Sequence, residues 1–441
     1  IILVPLNTRL SAPELEVITG DCRPAAMVVD EELLDCFEAL RPRLDSVRLF
    51  LHIGKPFPGA ISYEGLAGKY ASLIKTQAVE DDVNCILYTG GTTGFPKGAE
   101  LTNGTWLANH RNTQPVLGIT EHDVNLVMTP LFHTAAVWPA WLHLGAGGVT
   151  VTTRRFDVRE TLEVMERERI TFCHPVLSQV VSLIEAPYAE EYDLSRLRIV
   201  QCSMSLPAPA FERARRVFRD TIMPGYGLTE AGPMATLMPL EEMRAWEEAG
   251  GMAGGRPRRY SSSGKILPNV EVRLVDDADR EVPCGEVGEI TVRSEAVMKG
   301  YWERPEATAQ SLRNGWLHTG DLARMDEDGF MYFVDRKSGM IKTGGESVYP
   351  KEVEDAIAAH PSVLEASVFG LPHARWGETV MAVVALRQGA SATAEDLIEH
   401  CRHRIASYKK PTAIDFVDSL PRNPSGKVIK AELRKRYISE A

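Results

Sequence analysis

A chain of 441 residues is long enough for more than one domain and a large buried core. Its 44% hydrophobic and 25% charged residues are ordinary for a globular protein, and no apolar stretch is long enough to span a bilayer. A net charge of −11 argues against nucleic acid or an anionic membrane as a general partner, so an anionic ligand needs local basic groups, for which Lys97, Arg336, Lys342 and Lys427 are candidates.

Seven cysteines, an odd number without Cys-x-x-Cys spacing, read as reduced thiols and point to a cytoplasmic protein. Cys85, Cys173 and Cys202 sit in apolar runs and read as core residues. No signal peptide is legible. The chain starts Ile1-Ile2-Leu3-Val4-Pro5, without Met and already strand-like.

The first part alternates short strands and helices. Residues 2–4 read as a strand, Ala12-Pro13-Glu14 opens a helix, and residues 25–29 form a second apolar run. Residues 55–80, rich in Gly, Pro and polar types, read as a connector. A buried strand is predicted at 83–88, then a helix capped by Asn103. Strands at 125–129 and 149–153, a helix capped by Asp157, and strands at 170–173 and 197–201 follow. Repeated β-α-β alternation implies a largely parallel sheet covered by helices.

From about 265 the period changes to 2, as in residues 270–275 and 289–292, which suggests a small antiparallel, barrel-like part. Pro350 sits at a helix start with Val353, Ala356 and Ile357 on its apolar face. Strands at 366–369 and 380–386 follow, then a helix carrying Leu397, Ile398, Cys401 and Ile405. The predicted fold is α/β: a large N-terminal domain (1–336) of βαβ sheets plus the barrel-like part, and a small, mobile α+β C-terminal domain (337–441).

Five short motifs carry chemistry. The segment Tyr88-Thr89-Gly90-Gly91-Thr92-Thr93-Gly94-Phe95-Pro96-Lys97-Gly98 follows a strand. Its glycines let backbone amides close on an anion, its threonines add donors and Lys97 adds charge, the make-up of a phosphate cradle. By composition alone a surface loop is an equally good reading. The Walker pattern fits neither here nor at Gly264-Lys265 or Gly426-Lys427. Pro224-Gly225-Tyr226-Gly227-Leu228-Thr229-Glu230 is a Gly-bracketed turn with an aromatic and a carboxylate, most often structural when met alone. Gly315-Trp316-Leu317-His318-Thr319-Gly320-Asp321 ends on an Asp that could be a mere turn former. The last two are Asp335-Arg336-Lys337 and Pro421-Arg422-Asn423-Pro424-Ser425-Gly426-Lys427-Val428. His133, in Pro130-Leu131-Phe132-His133, is a further candidate.

In this order the motifs resemble those of the adenylate-forming superfamily (acyl-CoA synthetases, firefly luciferase, adenylation domains of peptide synthetases), closest in form to fatty-acid-type acyl-CoA ligases. The resemblance covers essentially the whole chain and implies that several dozen residues normally precede Ile1. It implies that Thr89, Gly90, Gly91, Thr92, Thr93, Gly94 and Lys97 cradle ATP phosphates. Tyr226, between Gly225 and Gly227, would stack on adenine, Thr229 would touch phosphate and Glu230 would hold Mg²⁺. A single carboxylate suits a hard cation that also takes phosphate oxygens and waters. Asp321 would take the ribose hydroxyls and Arg336 ribose and phosphate. Lys427 would serve adenylation, and His133 would border the acid. Lys342 remains a basic candidate, and Gly344 and Gly345 would line the pantetheine path.

The implied activity is that of an acyl-CoA synthetase using a small-molecule carboxylic acid, ATP, Mg²⁺ and CoA. An enzyme loading a carrier protein, a luciferase-type monooxygenase and a degenerate nucleotide-binding protein are the alternatives. Gly90 stands where relatives usually have Ser, and Ser338 stands at the hinge position where they have Lys or Asp. Cys202-Ser203-Met204-Ser205 replaces a Gly-Gly-Ala-Pro type turn, and side chains facing the site there would narrow the acid pocket. Neither the acid nor the oligomeric state is readable, and a homodimer is compatible with the sequence.

Overall fold

The computed structural model describes residues 1–69, 77–89, 96–203, 208–248, 259–343, 346–373, 376–423 and 426–439. Its centre is a seven-stranded sheet. Strands Val149–Thr152, Val124–Val127, Phe172–Cys173, Ile199–Cys202 and Ile222–Tyr226 lie side by side in that order, all parallel. Thr236–Leu237 and Lys265–Ile266 extend the sheet antiparallel. The two strands Ile199–Cys202 and Ile222–Tyr226 are buried at every position, as expected for parallel strands covered on both faces. Helices Asn103–Leu117, Thr134–Gly145, Val158–Arg167, Leu177–Glu185 and Ala208–Phe218 supply the cover. Asp157 caps its helix as predicted, accepting from the Glu160 N–H at 2.9 Å. The cap before Asn103–Leu117 is Thr102, not Asn103: its hydroxyl accepts from the Thr105 N–H at 3.1 Å, while the Asn103 amide reaches back to the Val79 carbonyl.

Two predictions at the start of the chain change. Residues 2–4 form no strand; only Leu3 bridges, to Cys85. Pro5 lacks the N–H needed to continue the pairing. The supposed connector at 55–80 contains strand Ala60–Ser62 and helix Tyr63–Lys69. That strand completes a parallel sheet with Ala26–Asp30 and Leu49–Ile53, which has its own core around Leu15, Met27, Phe37, Leu40 and Phe57.

Three further sheets frame the ligand side. Val83–Thr89 and Lys97–Thr102 pair antiparallel, with Gly300–Tyr301 along the far edge. Glu271–Val275, Gly288–Arg293, Trp316–Met325, Leu312–Arg313 and Met331–Arg336 make the antiparallel sheet that the change of period predicted. The chain leaves that sheet at Arg336 and enters the last one at Ile341. There Glu346–Val348, Ile341–Thr343, Gly377–Leu386 and Val363–His373 pair antiparallel, and Ala413–Phe416 adds a parallel strand. Helices Pro350–Ala358 and Ala394–Arg402 pack on it through Val353, Ile357, Leu397 and Cys401, a core separate from the main one. Among the described residues no helix is long and apolar enough to cross a membrane.

Candidate active site

The carboxyl ends of adjacent parallel strands in the central sheet leave a crevice, the usual ligand position in such sheets. Four candidate segments start there: Pro130–His133 after Val124–Val127, His174 after Phe172–Cys173, Ser203 after Ile199–Cys202, and Tyr226–Glu230 at the end of Ile222–Tyr226.

The Tyr226 turn is shaped by close approach. A Cβ on Gly227 would lie 1.8 Å from the Pro233 carbonyl oxygen, so the chain can double back only with glycine there. Gly225 is crowded less severely, a Cβ there lying 2.7 Å from Leu237, 2.8 Å from Met234 and 2.9 Å from the Thr236 carbonyl oxygen. The buried Tyr226 ring stacks on Phe333 with centroids 6.3 Å apart, and its hydroxyl donates to Asp321 at 2.8 Å. Burial and the Asp321 charge together push the phenol well above its ordinary range.

Asp321 stands behind Gly320, whose φ is +71°, inside strand Trp316–Met325. Its N–H donates to the Thr319 hydroxyl, and Gly320 donates to Glu289. Arg336 lies opposite on the paired strand, with Nε 3.3 Å from Asp321. Burial raises the Asp321 pKa, against the lowering influence of Arg336 and the Tyr226 hydroxyl.

Glu230 closes the other side. Its Oε1 accepts from the Thr89 hydroxyl at 3.1 Å and the Tyr301 hydroxyl at 3.0 Å. Among the described residues no hydrogen bond reaches Oε2. Thr89 and Lys97 are paired across the hairpin whose loop holds Gly90, Gly91, Thr92, Thr93 and Gly94. Those five residues lie outside the described ones, as do Gly344, Gly345, Met204 and Ser205. The Lys97 ammonium sits 4.7 Å from the Tyr301 ring centroid. Thr229 shares a hydroxyl–hydroxyl hydrogen bond with Thr134, at the start of the helix after His133.

Lys427 arrives from the C-terminal unit. Its side chain is exposed, and the desolvation it does undergo lowers the ammonium pKa. Arg336 lowers it further, while Asp321 and Glu230 act the other way. His133 is held near 4 mainly by burial, with Lys427 and Arg9 adding to the effect, and its Nε2 is buried without a hydrogen-bond partner. The Lys427 charge therefore acts on His133, and those of Arg336, Asp321 and Glu230 act on Lys427. The backbone of Lys342 lies opposite that of Ser347 in the C-terminal hairpin Ile341–Thr343/Glu346–Val348.

The sequence reading missed Tyr301, which touches both Glu230 and Lys97. Its signal was Lys299-Gly300-Tyr301-Trp302, an aromatic pair in a short strand far from the other motifs. It read Cys202 as a core residue and, alternatively, as a possible pocket wall, and the structure bears out the core reading. Cys202 is buried in the main core, and burial raises its thiol pKa to about 12. Strand alternation turns Cys202 to one face of the sheet and Ser203 to the other.

With this geometry in view, known proteins supply the comparison. AMP-binding enzymes match residues 1–302, and the C-terminal domain of AMP-binding enzymes matches residues 352–427. The chain belongs to the AMP-binding, adenylate-forming enzyme family. It is 36% identical to feruloyl-CoA synthase of an Amycolatopsis species, over 99% of this chain and 84% of that protein. A long-chain-fatty-acid–CoA ligase of Escherichia coli O6:H1 is 35% identical over 86% of this chain and 66% of its own length. ATP-bound MatB of Rhodopseudomonas palustris has the same fold, with a TM-score of 0.86 and 30% identity over 100% of this chain and 84% of that one. These relatives support an AMP-forming acid–CoA ligase.

Proposed function

We propose that this ligase works in two half-reactions, with the site residues in the following roles. A carboxylate oxygen of the acid attacks the α-phosphorus of ATP, the bond to the bridging oxygen breaks, and acyl-AMP and pyrophosphate form. The thiolate of CoA then attacks the acyl carbonyl and expels AMP. Thr89 and Lys97, with the loop between them, hold the phosphates. Tyr226 offers its ring to adenine, Asp321 takes the ribose hydroxyls and Arg336 bridges ribose and phosphate. The Lys427 ammonium offsets the charge that builds on the α-phosphate as the carboxylate attacks. His133, neutral at physiological pH, borders the acid as an uncharged wall.

The residues present also fit Mg²⁺. Glu230 directs Oε1 to two hydroxyls, which orients Oε2, and one carboxylate is what this ion takes when phosphate oxygens and waters complete its shell. The ion would supply charge neutralisation at the phosphates.

The observation that carries this reading is the pairing of Glu230 with Thr89 and Tyr301 and of Asp321 with Tyr226 and Arg336, with the Lys427 ammonium, from beyond the junction at 337–340, within reach of the charges of Arg336, Asp321 and Glu230. It fits the adenylating pose of a two-domain enzyme divided at 336/337, with Ser338 as pivot. A second pose would then admit CoA past Gly344 and Gly345.

Acid-dependent exchange of labelled pyrophosphate into ATP, across a panel of acids and with thioester formation followed with and without CoA, tests it. Exchange together with acyl-CoA supports the reading. Exchange without acyl-CoA transfers the second half to a carrier-protein thiol. No exchange with any acid overturns it.

A further inference from the structure

One feature of the crevice is left over by these roles: a buried polar cluster between the helix Thr134–Gly145 and the central sheet. Gln201 is 0% exposed, and neither end of its amide has a hydrogen-bond partner. Trp138, 1% exposed, also leaves its indole Nε1 without a partner. Buried polar groups are almost always paired, because an orphaned amide forfeits its hydration for nothing. Two such groups near one ligand crevice mark a place where something else supplies the partners.

Register locates them together. Phe172 pairs with Ile199 and Cys173 with Val200, so one step further along the parallel strands His174 lies beside Gln201. His174, Gln201 and Ser203 share the sheet face opposite Cys173 and Cys202. Trp138 packs edge-on against Phe172 and His174, with centroids 6.4 and 5.6 Å apart, which places that face under the helix Thr134–Gly145. His174 Nε2 bonds the Ser203 hydroxyl at 2.7 Å. Ser203 is exposed at the crevice, while His174 is buried. The same helix starts at His133 and Thr134, and Thr134 is bonded to Thr229. The cluster therefore runs inward from the reacting end of the site along one wall.

We infer that Gln201, Trp138 and the Ser203–His174 pair form the far wall of the acid pocket and select carboxylic acids that carry a hydrogen-bonding substituent, such as a ring hydroxyl, over unsubstituted alkyl acids. This rests on the ligase reading above and names its substrate class. A hydroxyl is both donor and acceptor, so it can serve either end of the Gln201 amide. An alkyl chain would leave both orphaned groups unpaired. Sites built to bond a hydroxyl reject analogues lacking it far more strongly than apolar pockets reject a missing methylene. His174 is held neutral by burial and serves as a fixed hydrogen-bonding partner to Ser203 rather than as a base.

The test compares kcat/KM in acid-dependent pyrophosphate exchange for 4-hydroxycinnamate, cinnamate and octanoate. The parent should prefer 4-hydroxycinnamate to cinnamate by roughly tenfold or more. Gln201→Leu should bring that ratio close to one by losing the hydroxylated acid, at an unchanged or raised melting temperature. Ser203→Ala, on the exposed side, should reduce the ratio without affecting folding and provides the readout if Gln201→Leu does not fold. A parent ratio near one, a preference for octanoate, or a ratio untouched by both variants overturns the inference and leaves the ligase reading standing; the last pattern would assign the orphaned groups to permanent buried water. Absence of exchange with every acid in the wider panel overturns both.

Discussion

The two ends of the catalytic cleft are held in opposite ways. At the proposed nucleotide end, the described charged and aromatic groups are tied across elements: Glu230 to Thr89 and Tyr301, Asp321 to Tyr226 and Arg336, Tyr226 to Phe333. At the other end Lys427 sits on a turn that closes on itself. Its N–H donates to the Asn423 side chain at 2.9 Å, the Gly426 N–H to the Asn423 carbonyl, and Arg422 to the Gly426 carbonyl, while Arg422 also pairs with Glu365 of the same unit. Contact with the larger part is sparse: Gly426 lies against Ser178, and Arg387 pairs with Glu185, which also faces Arg213. Groups that recognise a nucleotide gain from being fixed before it arrives, since no reorganisation is then needed during the reaction. A lysine whose backbone is hydrogen-bonded within its own unit can be withdrawn without breaking the bonds of Glu230 and Asp321.

The largest expected effect comes from removing the delivered charge. Lys427→Ala should lower acid-dependent pyrophosphate exchange by about 10²–10³-fold. The same variant should still convert supplied acyl-AMP to acyl-CoA, because the fixed end is intact. Equal loss of both steps would place Lys427 in both halves and end the contrast.

Next is the junction. Ser338 lies in the short 3₁₀ turn 337–339, between the last strand of one sheet and the first strand of another. Lys337, its neighbour, is anchored to Asp277 and Glu289, and Asp335 accepts from the Lys351 N–H. Proline fixes φ near −65° and so removes the freedom a pivot needs. Ser338→Pro should slow thioester formation at least tenfold while exchange stays within about twofold of the parent, a stalled second half consistent with gating by domain motion. Normal acyl-CoA output from this variant would move the pivot elsewhere.

A smaller effect separates the buried site wall from the cleft surface by pH. His133 and His174 are held near 4 and near 3, both chiefly by burial, against about 6.5 when unfolded. As pH falls below 6.5 the unfolded chain takes up these protons first. The stability they contribute is therefore complete above pH 6.5 and lost progressively down to the folded values. Melting temperature should decline between pH 6.5 and 4, and His174→Gln should decline less steeply over that window than the parent. Parallel curves would show that His174 charges without cost.

The smallest effect is at the latch. Arg387 and Glu185 are each about 30% exposed, where an ion pair contributes roughly 0–1 kcal/mol. Arg387→Ala should weaken the adenylating pose only slightly, with exchange down by no more than about fivefold and thioester formation from supplied acyl-AMP unchanged or faster. A larger loss in both steps would make the contact a folding element rather than a latch.

Much of this molecule was legible in the chain. The βαβ alternation, the switch to period 2 near 265, the caps and the five motifs all follow local rules of spacing and composition, which sequence carries directly. The errors were local as well, at Asn103, residues 2–4 and the 55–80 segment, where one side-chain bond, one proline and one edge strand decided the outcome. What no local rule could supply was which motif residue meets which. Tyr301 joins Glu230 and Lys97 only because its strand pairs with Lys97–Thr102. Cys202 is buried in the main core while Ser203 is exposed and bonded to His174, because parallel pairing fixes which face each presents. Gln201 reads as an ordinary polar residue in a strand until the fold buries it with both ends of its amide unpaired. The five motifs, through their resemblance to a known family, pointed to the ligase reaction, since each is a short contiguous pattern. Only the tertiary structure decided which charges share a cleft and which polar groups lack partners, because those depend on distances between residues far apart in the chain.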